Sequence, residues 1–501
     1  VKQASGELFE LIKGLNLSEK RYCSIYLARH AAGKENRYLQ LFDYLSSATA
    51  YDTNLTRAYM GYAVKPGHYA VLKAQLFEQL LDALHQYDLF TNAEQQLLRG
   101  IHQCHLLMQK GLFAACARRI KSLWQTALQM GHYEAQLQLQ QLKMQMKARN
   151  YYRHETDETL LQWKQETDTV LNQLEVTNRY RYLSSRVFKV QYESGARGKQ
   201  QAEKMEAVTK LPEFTDKANA ATNRALLDYL QVNALYNFTN LQTTEALAYN
   251  EQFLQLLDES PLLKQQQADR YFSVLNNYLI DCLVLKRYDT LEQGLVTLRS
   301  LRKEPAFKRL VNFEANVFRL GYLLEMNYLF TVKKYQQAYA CIPDITTGLQ
   351  KYGDRVVKHN RITLHYLMAY VCFMLNRYSE VLDHLNYILQ EKETAVAQDV
   401  QVAARMMQLI THFELGDERL LDSLAKSVRR YMKADKEAEV QKAVISFILS
   451  SVQRVEITDT DWQKLVGRLN ALSGDTKQSA GAGLFDYSSW VEGKYNKKRE
   501  P

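Results

Sequence analysis

The residues best suited to chemistry are few, and none is spaced as a complete site. His102-Gln103-Cys104-His105 puts two imidazoles and a thiol within one helical turn. His102 and His105 share a helix face at i, i+3, but a zinc site needs three or four ligands. Cys104 falls on a small packing position, so a structural role is the simpler expectation. Glu155-Thr156-Asp157-Glu158 and Asp459-Thr460-Asp461 offer carboxylates that could serve as acid and base. Both runs stand at the start of an amphipathic stretch, where negative charge offsets the helix dipole. Gly195-Ala196-Arg197-Gly198-Lys199 has neither the length nor the preceding strand of a phosphate loop. Nucleophile-elbow, zincin and kinase motifs are absent. The expectation is a non-enzyme: no catalytic residue, no metal and no cofactor.

The elements that would have to position any site are helices. Gly (20) and Pro (6) make up about 5% of 501 residues, against roughly 12% in average proteins. Turn-dense sandwiches and barrels use far more of both. An apolar fraction of 46% with 24% charged residues is enough to build a core. The length suits two or three domains, or one repeat array. The net charge of +9 is spread out, with modest clusters at Arg118-Arg119-Lys121, Arg302-Lys303, Arg429-Arg430-Lys433 and Lys497-Lys498-Arg499. Solvated helix faces account for these, and a nucleic-acid partner is not expected. Cys23, Cys104, Cys116, Cys282, Cys341 and Cys372 form no close pair, which suits buried, reduced thiols in a cytoplasmic protein. The opening patch Leu8-Phe9-Glu10-Leu11-Ile12 is too short for a secretory signal. Ile362 to Leu375, the best apolar run, contains His365 and lies between Arg361 and Arg377. It reads as a buried helix, so no membrane insertion is expected.

Helical periodicity recurs along the chain. Ala268, Tyr271, Phe272, Leu275, Tyr278, Leu279 and Cys282 form one apolar stripe. A 3-4-3 quartet also repeats: Ala246, Tyr249, Phe253, Leu256; Tyr288, Leu291, Leu295, Leu298; Tyr335, Ala338, Ile342, Ile345; Tyr378, Val381, Leu385, Ile388; Leu421, Leu424, Val428, Tyr431. The starts lie 42 to 47 residues apart, each after a second amphipathic stretch. Such a unit is a helical hairpin that cannot bury its apolar face alone, so stacking is required. The predicted fold is all-α, an α-solenoid of stacked hairpins behind an N-terminal helical bundle. Pro343, inside its quartet, should shorten or kink that helix. The 33 tyrosines are mostly accounted for as core filling with a wet hydroxyl end.

These quartets resemble tetratricopeptide repeats, with Tyr335-Gln336-Gln337-Ala338 as the nearest match, over roughly residues 225 to 455. Tyr288 and Tyr378 keep the aromatic but put Leu291 and Val381 where the family has a small residue. The period exceeds the usual 34, so the likeness is to a divergent, long-helix form. An earlier echo is Phe113, Cys116, Ile120, Leu123, and the Gly131-His132-Tyr133 turn runs out of phase. Leu17-Ser18-Glu19-Lys20-Arg21-Tyr22 with Leu41-Phe42-Asp43-Tyr44 resembles the opening of a group of uncharacterised bacterial helical-repeat proteins, which implies no activity. Ser18 and Asp52 suit helix N-caps there.

The expected organisation is 1–90 bundle or cap, 91–472 repeats, 473–483 linker and 484–501 tail. The tail segment Leu484-Phe485-Asp486-Tyr487-Ser488-Ser489-Trp490-Val491 is too aromatic for a disordered end. Leu484, Phe485, Tyr487 and Trp490 should therefore dock, either as a cap on the chain's own solenoid or on a partner. The repeat resemblance implies an inner surface carrying Asn276, Asn327, Tyr366, Tyr370 and Phe413, suited to a peptide or partner helix. The expected function is a protein–protein interaction scaffold or adaptor with an unidentified protein or peptide partner. The alternative is a ligand-sensing regulator whose N-terminal bundle contacts nucleic acid.

Overall fold

The computed structural model describes residues 4–29, 36–61, 66–149, 151–193, 199–390, 398–432, 436–452, 457–473 and 485–497. The linker from 474, Leu484, Gly195–Gly198, Lys433, Lys498 and Arg499 lie outside the described residues. Every regular element among the described residues is a helix, in keeping with the low Gly and Pro content. The chain divides into two units, residues 1–285 with 296–313 and residues 286–295 with 314–501.

The first unit opens with α1 (Ala4–Gly14), α2 (Leu17–Arg29), α3 (Arg37–Ser47), α4 (Thr53–Tyr59) and α5 (Pro66–Thr91). Leu8, Ile12, Cys23, Leu27, Leu41, Leu45, Leu76 and Leu80 close a core of their own. Asp52 caps α4 by accepting the Asn54 and Leu55 amides at 2.7 and 2.9 Å. The cap of α2 is Asn16 rather than Ser18. Its Oδ1 accepts the amides of Ser18 and Glu19 at 2.9 and 3.0 Å. The Glu19 carboxylate answers by accepting the Asn16 N–H at 2.8 Å, a reciprocal box that starts two residues before Ser18.

Helices then follow in packed succession: α6 (Ala93–Gln109), α7 (Phe113–Gln129), α8 (Tyr133–Ala148), α9 (Asp157–Glu193), α10 (Lys199–Thr209), α11 (Pro212–Thr215), α12 (Asn223–Thr239), α13 (Thr243–Asp258), α14 (Pro261–Gln266) and α15 (Ala268–Val284). After α16 (Tyr288–Ser300) the second unit continues with α17 (Phe313–Thr331), α18 (Tyr335–Ala340), α19 (Ile342–Tyr352), α20 (Lys358–Met374), α21 (Tyr378–Gln390), α22 (Gln398–Leu415), α23 (Glu418–Tyr431), α24 (Lys436–Ser451), α25 (Asp459–Ser473) and α26 (Tyr487–Lys497). Within it α20 lies on α21, α21 on α22, and α22 on α23. This is an all-α helical-repeat fold.

One turn conformation recurs between paired helices. Gly111, Gly131, Leu241, Lys286, Lys333, Asn376 and Gly416 all have φ between +56° and +75°. In six of these turns the next amide reaches back five residues, as from Leu112 to Leu107, Gln242 to Asn237 and Arg377 to Cys372, each at 2.9 Å. That is the Schellman closure, which satisfies the last carbonyls of the first helix and reverses the chain. Five positions after each left-handed residue come Cys116, Gln136, Ala246, Leu291, Ala338, Val381 and Leu421, all buried. Aligned on the turn, Ala246 and Leu421 thus match Leu291 rather than Tyr288, and those two quartets are one step out of phase. Pro343 does break its helix: α18 ends before Cys341, and the proline sits in the first turn of α19, where its missing N–H costs nothing. Gly348 on α19 is a close approach, since a Cβ there would lie 2.0 Å from the Phe318 ring of α17.

Candidate helix-docking face

The tail residues and part of the expected inner surface meet. Within the second unit, α20 carries Tyr370 and Phe373 and α22 carries Phe413 and Glu414. The Phe485 ring stands edge-on to Tyr370 and Phe373 at 5.5 and 5.3 Å. One turn into α26, Trp490 stands edge-on to Phe413 at 6.2 Å and to Trp462 of α25 at 5.9 Å. Edge-to-face geometry sets the positive ring edge against the negative face. Phe485, Tyr487, Trp490 and Val491 are all buried. Asp486 starts the helix by accepting the Ser489 N–H at 3.0 Å.

Glu414 fixes the register of this contact. Its carboxylate is only 5% exposed and is filled by three donors. Trp490 Nε1 donates to Oε1 at 2.8 Å, Tyr378 OH donates to Oε2 at 3.3 Å, and Lys494 Nζ pairs with Oε2. A carboxylate so enclosed is costly unless paired, so the indole and the ammonium one turn later are matched to it. Sequence spacing locates both aromatic sets, but more than seventy residues separate Glu414 from Trp490, and nothing local marks the acid as their partner.

The other expected inner-surface residues lie elsewhere. Tyr366 is buried at 2% exposure, and Asn327 Nδ2 donates to the Leu323 carbonyl at 2.6 Å along its own helix. Asn276 belongs to the first unit, where its Oδ1 is buried and accepts no hydrogen bond among the described residues. The first unit also holds a polar cleft of about 440 Å³ between α9, α12 and α15, lined by Arg181, Arg224, Asp228, Asp269 and Arg270. There Arg270 is committed to Asp228 at 2.9 Å and to Gln231 at 2.7 Å.

The remaining chemical candidates are structural in their surroundings. Cys104 is wholly buried and accepts no ligand role beside exposed His102 and His105; its carbonyl takes the Cys116 thiol at 3.5 Å. Burial pushes the Cys104 thiol up to about 11 and those of Cys23 and Cys372 to about 12, away from thiolate chemistry. Among the described residues no group of three His, Cys, Asp or Glu could hold a metal ion. Asp157 and Glu158 occupy the first turn of α9, Glu155 pairs with Lys147, and Asp459 and Asp461 start α25. His365 and His384 face each other with Nδ1 atoms 3.4 Å apart, and His365 stacks on Tyr387 at 3.9 Å. No described helix is long and apolar enough to cross a membrane. No family model, curated protein or solved structure matches this chain.

Proposed function

We propose that the protein is a non-enzymatic interaction scaffold whose second unit receives an amphipathic helix on the face formed by α20, α22 and α25. The observation that carries this reading is the intramolecular complex itself. A short aromatic helix lies on that face with its rings enclosed, its indole hydrogen-bonded and its lysine paired. This is helix-in-groove recognition, with anchors at Phe485, Trp490 and Lys494. The likeness of the hairpins to tetratricopeptide repeats, and buried thiols suited to a reducing cytoplasm, agree with a bacterial adaptor of this kind.

The test uses the full chain carrying Phe485→Ala and Trp490→Ala, which vacates the face. A labelled synthetic peptide of residues 485–497 should bind this variant saturably and bind the parent at least tenfold more weakly, because the parent's own helix competes. Glu414→Ala in the vacated background should weaken binding a further tenfold or more. Equal binding to parent and variant, or indifference to Glu414, would remove the face as a recognition surface.

A further inference from the structure

A second site lies in the first unit. Ala117, Ile120, Lys121 and Trp124 form one stripe of α7, at i, i+3, i+4 and i+7. Leu139, Gln140, Lys143, Met146 and Lys147 form the facing stripe of α8, and Glu166 of α9 closes one end. The two stripes enclose a cavity of about 550 Å³, within the usual size of small-molecule sites. Its floor is apolar: Leu139 is fully buried, Ile120 is 7% exposed, and Trp124 and Met146 are half-buried. Its rim carries three ammonium groups and one carboxylate. Glu166 is already engaged, accepting from Gln140 Nε2 at 2.7 Å and Gln162 Nε2 at 3.1 Å, and Lys143 Nζ lies 3.8 Å from it. Lys143 also sits over the Trp163 ring at 4.6 Å, and Lys147 is held by Glu155. Lys121 is exposed and makes no ion pair among the described residues.

We infer that this cavity binds an amphiphilic monocarboxylate, a free acid with an aliphatic or aromatic body of about eight to ten carbons. The apolar floor takes the body, and Lys121 supplies the one rim cation whose charge has no internal answer. Lysine stems do cover apolar surface by themselves, but here Trp124 and Met146 stay half-buried along the cavity, and Lys121 beside them makes no ion pair among the described residues. Neutral alcohols would satisfy the floor and not the rim; amines would be repelled. This site is independent of the helix-docking face and involves none of its residues.

The experiment titrates the full chain with hexanoate, octanoate and decanoate below their micellar concentrations, by calorimetry and by fluorescence of Trp124 and Trp163. Binding should be one to one and should tighten about fourfold per added methylene, the factor for burying one CH₂. Lys121→Glu, a change at an exposed position, should weaken octanoate at least tenfold and leave 1-octanol unchanged. Ala117→Phe, from the exposed rim, should fill the cavity and abolish binding of both. The inference is overturned if octanol binds as well as octanoate, if Lys121→Glu has no effect, or if no saturable binding occurs at millimolar acid. Tighter binding of a peptide ending in Leu carboxylate than of decanoate would overturn the assignment to a free acid.

Discussion

Asp281 is the clearest place where the fold carries a cost that can be switched off. It lies on α15, fully enclosed, with one carboxylate oxygen accepting the Asn250 Nδ2 of α13 at 2.8 Å and the other accepting no hydrogen bond among the described residues. Burial pushes its carboxyl up to about 6, only partly offset by the Asn250 amide. The unfolded chain ionises near the ordinary value of about 4, so the folded state holds the proton more tightly. The resulting stabilisation is fully present below about pH 4 and is lost as pH rises through 6. It amounts to about 3 kcal/mol in the acid limit and about 1.4 kcal/mol at pH 5, and it nearly vanishes by pH 7.5. Asp281→Asn keeps the acceptor for Asn250 and removes the charge. Hydrogen exchange of α13 and α15 amides in the full chain reads this locally, without assuming a two-state protein. At pH 7.5 the variant should gain about tenfold or more in protection over the parent, and at pH 4 the two should converge. An advantage of the same size at both pH values would refute the reasoning, because a packing effect does not titrate.

Four further outcomes follow from single positions. Leu241 is 88% exposed with φ +61°, a conformation that costs a non-glycine residue roughly 1–2 kcal/mol; Leu241→Gly should raise protection of α12 and α13 by a few-fold even after the added chain entropy. Gly348→Ala drives a Cβ into a Phe318 ring already held by Tyr322 and Tyr352, and should destabilise the second unit by about 1–3 kcal/mol, read from denaturant unfolding. Gly467→Ala on α25, with open space around it, should instead be neutral or stabilising by up to ~1 kcal/mol in the same measurement. Burial, with help from His384 and Arg361, holds His365 down to about 4, so its contribution is intact above about pH 6.5 and lost as pH falls toward 4. His365→Phe should keep the Tyr387 stack and remove up to ~2 kcal/mol of acid sensitivity at pH 5 from α20 and α21, read as exchange protection.

Much of the helical framework was legible because burial leaves a period. Leu385, Ile388, Ala338 and Ile345 sit in the core positions their spacing implied, and Pro343 broke its helix as its ring requires. The turns were harder to see. Lys286, Lys333 and Leu241 take the left-handed conformation without the glycine that advertises it, so only apolar residues mark the quartets in sequence, and two of these marks lie a step out of phase with their turns. The Gly131 turn looked out of phase because it closes the opposite end of α7 from the Gly111 turn, twenty residues apart rather than a full hairpin. Long-range chemistry left least trace. Glu414 is one acid among many in sequence, and only the folded chain brings Trp490 and Lys494 to it. The cavity between α7 and α8 likewise borders the Arg118-Arg119-Lys121 cluster, which in sequence reads as a solvated face.

The two titrating interiors have opposite signs, and this separates their effects from any general action of pH. Asp281 lies in the first unit and weakens it as pH rises through 6. His365 lies in the second and weakens that unit as pH falls below 6.5. Between pH 7.5 and pH 5, α13 and α15 should therefore gain protection while α20 and α21 lose it, in the same sample. Solvent-wide causes, such as growing net charge or intrinsic exchange chemistry after correction, act on both sets with one sign. Opposed movement cancelled by Asp281→Asn on one side and by His365→Phe on the other assigns each slope to its residue. Parallel movement of both sets would mean that neither enclosed group governs its own surroundings. The physical reason to expect opposition is simple: both sites are desolvated, and desolvation favours the neutral form, which for a carboxyl is the protonated one and for an imidazole the deprotonated one.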